Sequence, residues 1–96
     1  MKFIYKRQYL KRFDRFLAAD QARVLAADEQ IRTYYLTQKA PFGLRIKQLY
    51  TKTGEKVLEA RASQDIRILW TECKDTVSFV LVGTHDEVKR YLRSLR

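Results

Sequence analysis

Apolar and polar residues alternate along the first residues of the chain. Phe3 and Tyr5 fall on one side of the segment and Ile4 falls on the other. This two-residue period predicts a short first strand, Lys2–Lys6. The period then lengthens to that of a helix, so the strand should lead directly into one.

Two amphipathic helices follow. The apolar positions of the first recur at three- and four-residue steps, at Tyr9, Leu10, Phe13, Phe16 and Leu17. A break at Ala18–Asp20, with Asp20 as N-cap, predicts a second helix that runs to about Gln38. Its apolar positions are Val24, Leu25, Ala27, Ile31, Tyr34 and Tyr35. The two form a helical hairpin, which Pro41 and Gly43 end.

Four strand-like runs come next, joined by the short turn sequences TKTG, ASQD and ECKDT. The runs are Leu44–Tyr50, Lys56–Arg61, Ile66–Glu72 and Val77–Gly83. Connections this short predict an antiparallel meander. Residues 77–82 are apolar on both faces except at Ser78, which predicts a central strand that is covered on both sides.

A third helix closes the chain. Thr84 and Glu87 have the spacing of a capping box, in which each side chain satisfies a backbone donor of the first turn. Its apolar stripe is Val88, Tyr91, Leu92 and Leu95. The order β-α-α-β-β-β-β-α predicts one α+β domain over residues 1–96. We expect the helical hairpin to pack on one face of a mainly antiparallel sheet, with the helices gathered on that face.

The charge balance points to a polyanionic partner. The chain has 20 Lys and Arg against 11 Asp and Glu, a net charge of +9, which attracts nucleic acid or an acidic protein. A single cysteine, Cys73, excludes an internal disulfide, and no apolar run is long enough to span a bilayer. We expect a cytoplasmic protein that holds no metal or cofactor and does not bind membranes.

Cations of the predicted strands are candidate phosphate ligands. They are Arg45, Lys47, Arg61 and Arg67. Clustered on the open face of the sheet, they would bind a phosphate backbone and stabilise charge during phosphoryl transfer. The register decides this, since a slip of one residue would send Arg67 inward. The alternative is an ordinary solvated surface.

The only histidine, His85, follows the last strand and lies in the first turn of the third helix. There the helix dipole disfavours protonated imidazole, so a neutral His85 beside phosphate-binding cations suits a general base. The alternative is an incidental histidine. Tyr91 lies on the buried stripe, where packing is its default role and a stacking or acid role is the alternative.

Four segments of the chain, in this order, resemble segments of one protein family. MKFIYKRQYLKRFDRF is similar to a short strand that runs into a helix rich in Phe, Leu and Lys, and GLRIKQLY to the strand that begins a sheet. VLEARASQDIRILW resembles an arginine-bearing hairpin, and TVSFVLVGTHDEVKRYL the closing strand, junction and terminal helix. The family is the RelE/ParE superfamily of bacterial type II toxins, and the resemblance covers nearly the whole chain.

The resemblance implies a RelE-like microbial RNase fold and a cytoplasmic toxin that a co-expressed antitoxin inactivates in a hetero-oligomeric complex. Its RelE-like branch consists of mRNA interferases, which cut mRNA on the ribosome by metal-free attack of the RNA 2′-hydroxyl on the adjacent phosphate. A ParE-like toxin that inhibits DNA gyrase without nuclease activity is the alternative, and an antitoxin-binding scaffold is a third reading. His85 and the strand cations favour the nuclease, because gyrase binding needs neither.

Carried over by position, the resemblance implies catalytic roles for Arg67, Lys47 and His85. Arg45 and Arg61 would contact substrate, with Lys89 as a further RNA-binding cation. Lys89 stands where many members carry an aromatic residue, so Tyr91 takes that catalytic part only by a shifted alignment.

Overall fold

The element order of the molecule is the order that its sequence predicts. The computed structural model describes residues 1–39, 44–49 and 56–94. Its elements are β1 (Lys2–Tyr5), α1 (Arg7–Arg15), α2 (Ala18–Thr37), β2 (Lys47–Leu49), β3 (Lys56–Arg61), β4 (Arg67–Cys73), β5 (Thr76–Gly83) and α3 (His85–Ser94). The predicted features at Pro41, Gly43, Tyr50 and Leu95 lie outside the described residues. Within those residues, no helix is both long and apolar enough to cross a membrane.

The strands form one 5-stranded sheet in the order β1-β5-β4-β3-β2. Strands β2 to β5 make the predicted antiparallel meander, and β1 adds a parallel edge, with Phe3 opposite Val77. Strand β5 is an interior strand buried on both faces, as its continuous apolar sequence predicts. The sheet is therefore mixed but mainly antiparallel.

The helical hairpin packs on one face of the sheet, as predicted. Helix α3 packs on the other face, so the further expectation that all the helices gather on one face is wrong. Helices α1 and α2 pack with Trp70 and Phe79 on the first face. Helix α3 packs on the second face, where Val88 contacts a cluster that includes Leu69 and Leu81. Strand residues alternate between faces, so β4 and β5 supply apolar side chains to both sides, and a helix is needed on each.

Strand β5 contains a β-bulge beneath helix α3. Leu69 pairs with Leu81, but Trp70 pairs with Phe79, so Val80 is an extra residue in β5. Both Val80 and Leu81 consequently join the cluster under α3. The bulge adds apolar surface where α3 docks.

The hairpin differs from the prediction at its turn. The break falls at Phe16 and Leu17, and Asp20 lies inside the first turn of α2, where it pairs with Arg23 at 2.8 Å instead of capping the helix. Leu10 and Leu17 are 49% and 78% exposed. Tyr9 is the residue of α1 that is buried against the sheet, and Leu17 lies beyond the end of this helix. The predicted apolar arc of α1 was therefore too wide.

Partly or fully buried hydrogen bonds connect the hairpin to the sheet. The Tyr5 hydroxyl lies 2.7 Å from each carboxylate oxygen of Asp28 on α2. Trp70 Nε1 donates to the Tyr35 hydroxyl at 2.8 Å, which donates to Glu72 Oε2 at 2.8 Å. These contacts satisfy polar groups that would otherwise be buried at a cost.

Candidate functional site

The second face of the sheet carries an open groove of about 560 Å³ between strands β2–β4 and helix α3. Apolar side chains of β2 and α3 contribute to its wall, among them Leu49, Val88 and Leu92. We call it the cationic groove, because its polar lining is formed by Arg45, Lys47, Glu59, Arg61, Arg67, His85 and Lys89. The groove thus brings together every site residue that the sequence predicts except Tyr91.

Strand register places the cations on one face. Lys47 lies opposite Glu59, and Arg61 lies directly opposite Arg67. Arg67 lies on the same face as Leu69, which packs under α3. The strand register therefore places Arg67 in the groove and not in the core of the first face. Like charges placed opposite each other repel, so the Arg61–Arg67 pair concentrates positive potential in the groove.

Glu59 is the partner of Arg67. Its Oε1 accepts a hydrogen bond from Arg67 Nη1 at 2.8 Å, and the two side chains are only 11% and 16% exposed. The Nε–H of Arg67 is buried and has no hydrogen-bond partner among the described residues. A buried donor without an acceptor is energetically unfavourable. Sequence analysis missed this pairing, although Glu59 lies two residue pairs along the hairpin from the Arg61–Arg67 pair, on the same face of the sheet.

Arg45 enters the groove just before β2. Its φ of 51° lies in the left-handed region, which side-chain-bearing residues adopt uncommonly. The neighbouring Leu44 is buried, and its carbonyl accepts a hydrogen bond from Arg61 N–H at 3.2 Å. The anchored Leu44 and the left-handed turn therefore bring Arg45 to the groove next to Lys47.

His85 lies at the lip of the groove as the first residue of α3. The predicted capping box is confirmed on either side of it. Thr84 N–H donates to Glu87 Oε1 at 3.0 Å, and Glu87 N–H donates to Thr84 Oγ1 at 3.2 Å. The backbone that carries His85 is thereby fixed, while its side chain stays exposed to a ligand.

Lys89 and Tyr91 lie on different sides of helix α3. Lys89 follows His85 by one helical turn and lines the groove with it. Tyr91 is half-buried against the apolar cluster of the second face and is not among the groove-lining residues. This position agrees with the packing role of Tyr91, and its role as an acid stays a prediction.

The described residues contain no group of three or more His, Cys, Asp and Glu side chains close enough to hold a metal ion. Cys73, the last residue of β4, has an exposed free thiol and is not among the groove-lining residues. The polar side chains that line the groove supply guanidinium, ammonium, imidazole and carboxylate groups.

Comparisons with known proteins agree on the architecture. The sequence matches no protein-family model and no curated protein. A chain of the archaeal RelE–RelB complex from Pyrococcus horikoshii OT3 matches with a TM-score of 0.67 and 12% identity, over 86% of this chain and 92% of that one. A chain of the E. coli DinJ–YafQ toxin–antitoxin complex matches with a TM-score of 0.66 and 18% identity, over 91% and 94%.

The YoeB/ParE toxin from Agrobacterium tumefaciens also matches, with a TM-score of 0.67 and 15% identity, over 88% of this chain and 99% of that one. At such identities the likeness concerns the path of the backbone and not individual side chains. The chain has the fold of the RelE, YafQ and YoeB/ParE proteins, as the resemblance in its sequence predicts.

Proposed function

We propose that this protein is the toxin of a type II toxin–antitoxin pair and that it cleaves mRNA on the ribosome. The observation that carries the proposal is the cationic groove, where Arg67 and Lys47 lie within one cavity with His85 at its lip. The shared fold supports the toxin class, since the matching YafQ structure is a toxin–antitoxin complex.

The proposed reaction is attack of an RNA 2′-hydroxyl on the adjacent phosphate. The attack breaks the bond to the 5′-oxygen of the next nucleotide and leaves a 2′,3′-cyclic phosphate and a 5′-hydroxyl. His85 takes the proton of the attacking hydroxyl or gives one to the leaving oxygen. Arg67 and Lys47 stabilise the charge that develops on the phosphate oxygens, which is the largest contribution expected of such a site.

The remaining groove cations bind the RNA backbone in this proposal. Arg45, Arg61 and Lys89 surround the reacting phosphate and position neighbouring nucleotides. An acidic antitoxin would inactivate the toxin by covering the same basic surface, in keeping with the net charge of +9. The partners are therefore the antitoxin in the resting complex and ribosome-bound mRNA in the active state.

The proposal is tested by expressing the protein alone and mapping RNA ends. Translation should stop, and mRNA should be cut at codon positions on ribosomes, leaving cyclic phosphate and 5′-hydroxyl ends. A 2′-deoxy nucleotide at the cut site should block cleavage, because it lacks the nucleophile. Arg67→Ala and His85→Ala should each relieve toxicity, whereas Lys11→Ala, an exposed cation of α1, should stay toxic. His85→Ala should retain the fold, but Arg67→Ala leaves the carboxylate of Glu59 without its partner, so circular dichroism is needed to separate a lost active site from a lost fold.

The competing outcome identifies a gyrase inhibitor. Growth arrest with intact mRNA, filamentation and a DNA-damage response would replace the nuclease proposal by the ParE-like alternative. Toxicity that persists in both the Arg67→Ala and His85→Ala variants would also contradict the nuclease. An adjacent reading frame for a small acidic protein with a DNA-binding segment would agree with either toxin.

A further inference from the structure

The carboxylate of Glu87 in α3 is bound from two directions. Its Oε1 accepts the Thr84 N–H at 3.0 Å, as part of the capping box. Its Oε2 forms an ion pair with Arg12 Nη1. One side chain therefore joins the first turn of α3 to a residue of α1.

This ion pair connects helices that pack on opposite faces of the sheet. Arg12 belongs to α1, whose Tyr9 is buried in the core of the first face. Glu87 belongs to α3, whose Val88 is buried in the core of the second face. The two side chains are 31% and 22% exposed, so water screens the pair only in part.

The carboxylate also lies close over the end of β5. A Cβ atom added to Gly83 would come within 3.0 Å of Glu87 Oε1 and 3.3 Å of Glu87 Cδ. Glycine at this junction lets the Glu87 side chain approach the backbone. Arg12, Glu87 and Gly83 together form what we call the α3 latch.

We propose that Arg12 is a positioning residue for His85: through the α3 latch it holds the first turn of α3 at the lip of the cationic groove. The inference rests on the proposed function, since it assumes that His85 transfers a proton to or from RNA. Arg12 is outside the groove lining. Its effect reaches the reaction only through Glu87 and the backbone of residues 84–87.

The chemistry of the capping box allows the ion pair to be tested by itself. Either Glu or Gln fills the third position of a capping box, because each supplies an oxygen to the N-cap N–H. Glu87→Gln therefore keeps that acceptor and removes the charge that binds Arg12. Arg12→Gln removes the other charge, and Arg12→Lys restores it. Arg15→Gln, an exposed arginine of the same helix, is the matched control.

Amide hydrogen exchange and steady-state cleavage are measured for all five proteins and for the Arg12→Gln/Glu87→Gln double variant. Exchange at Thr84 and Glu87 should rise roughly two- to fivefold in either single variant, the effect of losing a partly exposed ion pair. The kcat for ribosome-bound mRNA should fall by about three- to tenfold with little change in KM, because misplacement of a proton-transfer group affects the reacting geometry. Arg12→Lys should recover most of both values.

The double variant should lose no more activity than either single variant, because both changes break the same contact. Unchanged exchange at Thr84 and Glu87 in Arg12→Gln would overturn the latch. Faster exchange with unchanged kcat, or an equal loss in Arg15→Gln, would overturn the positioning role. If the wild-type protein cleaves no RNA, the proposed function and the positioning role both fail, while hydrogen exchange still decides whether the latch exists.

Discussion

Arg67, a largely buried cation of the cationic groove, is compensated by a carboxylate that is also buried. Arg67 and Glu59 lie 2.8 Å apart with little exposure, so each would be costly to bury without the other. The hydrogen bond uses one N–H of the guanidinium, and Nε stays without a partner among the described residues. Glu59 therefore fixes the orientation of Arg67 and lowers the positive potential that RNA would meet.

Replacing Glu59 separates these two effects. Glu59→Gln keeps an oxygen acceptor for Arg67 but removes the negative charge. We expect a loss of about 1–3 kcal/mol in the free energy of unfolding, because a charged hydrogen bond becomes a weaker one. RNA should bind more tightly, since the groove gains positive potential, while kcat should fall as Arg67 becomes less well oriented. Urea unfolding, RNA binding and cleavage assays measure the three quantities.

Glu29→Gln is the matched control. Glu29 is exposed on α2, so this substitution removes the same charge at a site away from the groove. Its unfolding free energy and kcat should stay close to wild type. Weaker RNA binding in Glu59→Gln than in Glu29→Gln would show that the carboxylate does not oppose the anion, and this account of the pair would be wrong.

At the scale of elements, a buried carboxylate joins the edge strand to the long helix. Asp28 of α2 is 5% exposed, and the hydroxyl of Tyr5 in β1 donates to it at 2.7 Å. Burial raises the pKa of Asp28 above its usual value, although the Tyr5 hydrogen bond and the Arg32 charge oppose the rise. Burial likewise raises the pKa of Tyr5, with the hydrogen bond to Asp28 adding to the effect.

A raised carboxyl pKa makes stability depend on pH in a definite direction. The folded protein binds the Asp28 proton more tightly than the unfolded chain does. The resulting stabilisation is present below the ordinary aspartate pKa and is lost as pH rises through the folded pKa. We expect Asp28→Asn, which does not ionise, to gain stability relative to wild type between roughly pH 3 and pH 7. Urea unfolding across this range measures the difference.

Tyr5→Phe provides the complementary test. It removes the donor that favours the charged carboxylate, so the pKa of Asp28 should rise further. The free energy of unfolding of the Tyr5→Phe variant should therefore fall more steeply with rising pH than that of wild type. Parallel pH curves for wild type and Asp28→Asn would contradict the prediction. A shallower curve in Tyr5→Phe would mean that the hydroxyl does not stabilise the carboxylate.

The spacing of apolar residues was sufficient to predict the order of helices and strands. Side chains return to the same face every two residues in a strand and every 3.6 residues in a helix. The capping box at Thr84 and Glu87 was predictable for the same reason, since its partners are three residues apart. The face chosen by α3 was not predictable, because β4 and β5 are apolar on both sides. The pairing of Glu59 with Arg67 and the bulge at Val80 depend on contacts between strands, which no local pattern contains.

At the scale of the whole molecule, the sheet separates two kinds of surface. The first face is occupied by the α1–α2 hairpin and an aromatic core that includes Tyr9, Trp70 and Phe79. The second face is covered by α3 over only part of its area, and the uncovered part is the cationic groove. Among the described residues, α3 is the helix on that face, and it leaves the strand cations accessible to a polyanion.

The net charge of +9 predicts that binding of RNA depends strongly on salt. Each phosphate that the protein neutralises releases condensed counterions, so the logarithm of affinity falls with the logarithm of salt by about 0.7 per contact for a single strand. Lys47→Ala and Lys89→Ala should each lower this slope by about 0.7 and weaken binding at low salt. Fluorescence anisotropy with a short labelled RNA at several salt concentrations measures it.

Lys11→Ala is the control for these variants, because it removes the same charge from α1, on the first face of the sheet. Both classes of variant lower the net charge equally, so a difference in slope reports where RNA lies and not how basic the protein is. Equal slopes for Lys11→Ala and Lys47→Ala would mean that RNA is held by the overall field of the protein. A lower slope only in the groove variants would locate the phosphates beside Lys47 and Lys89, within reach of Arg67.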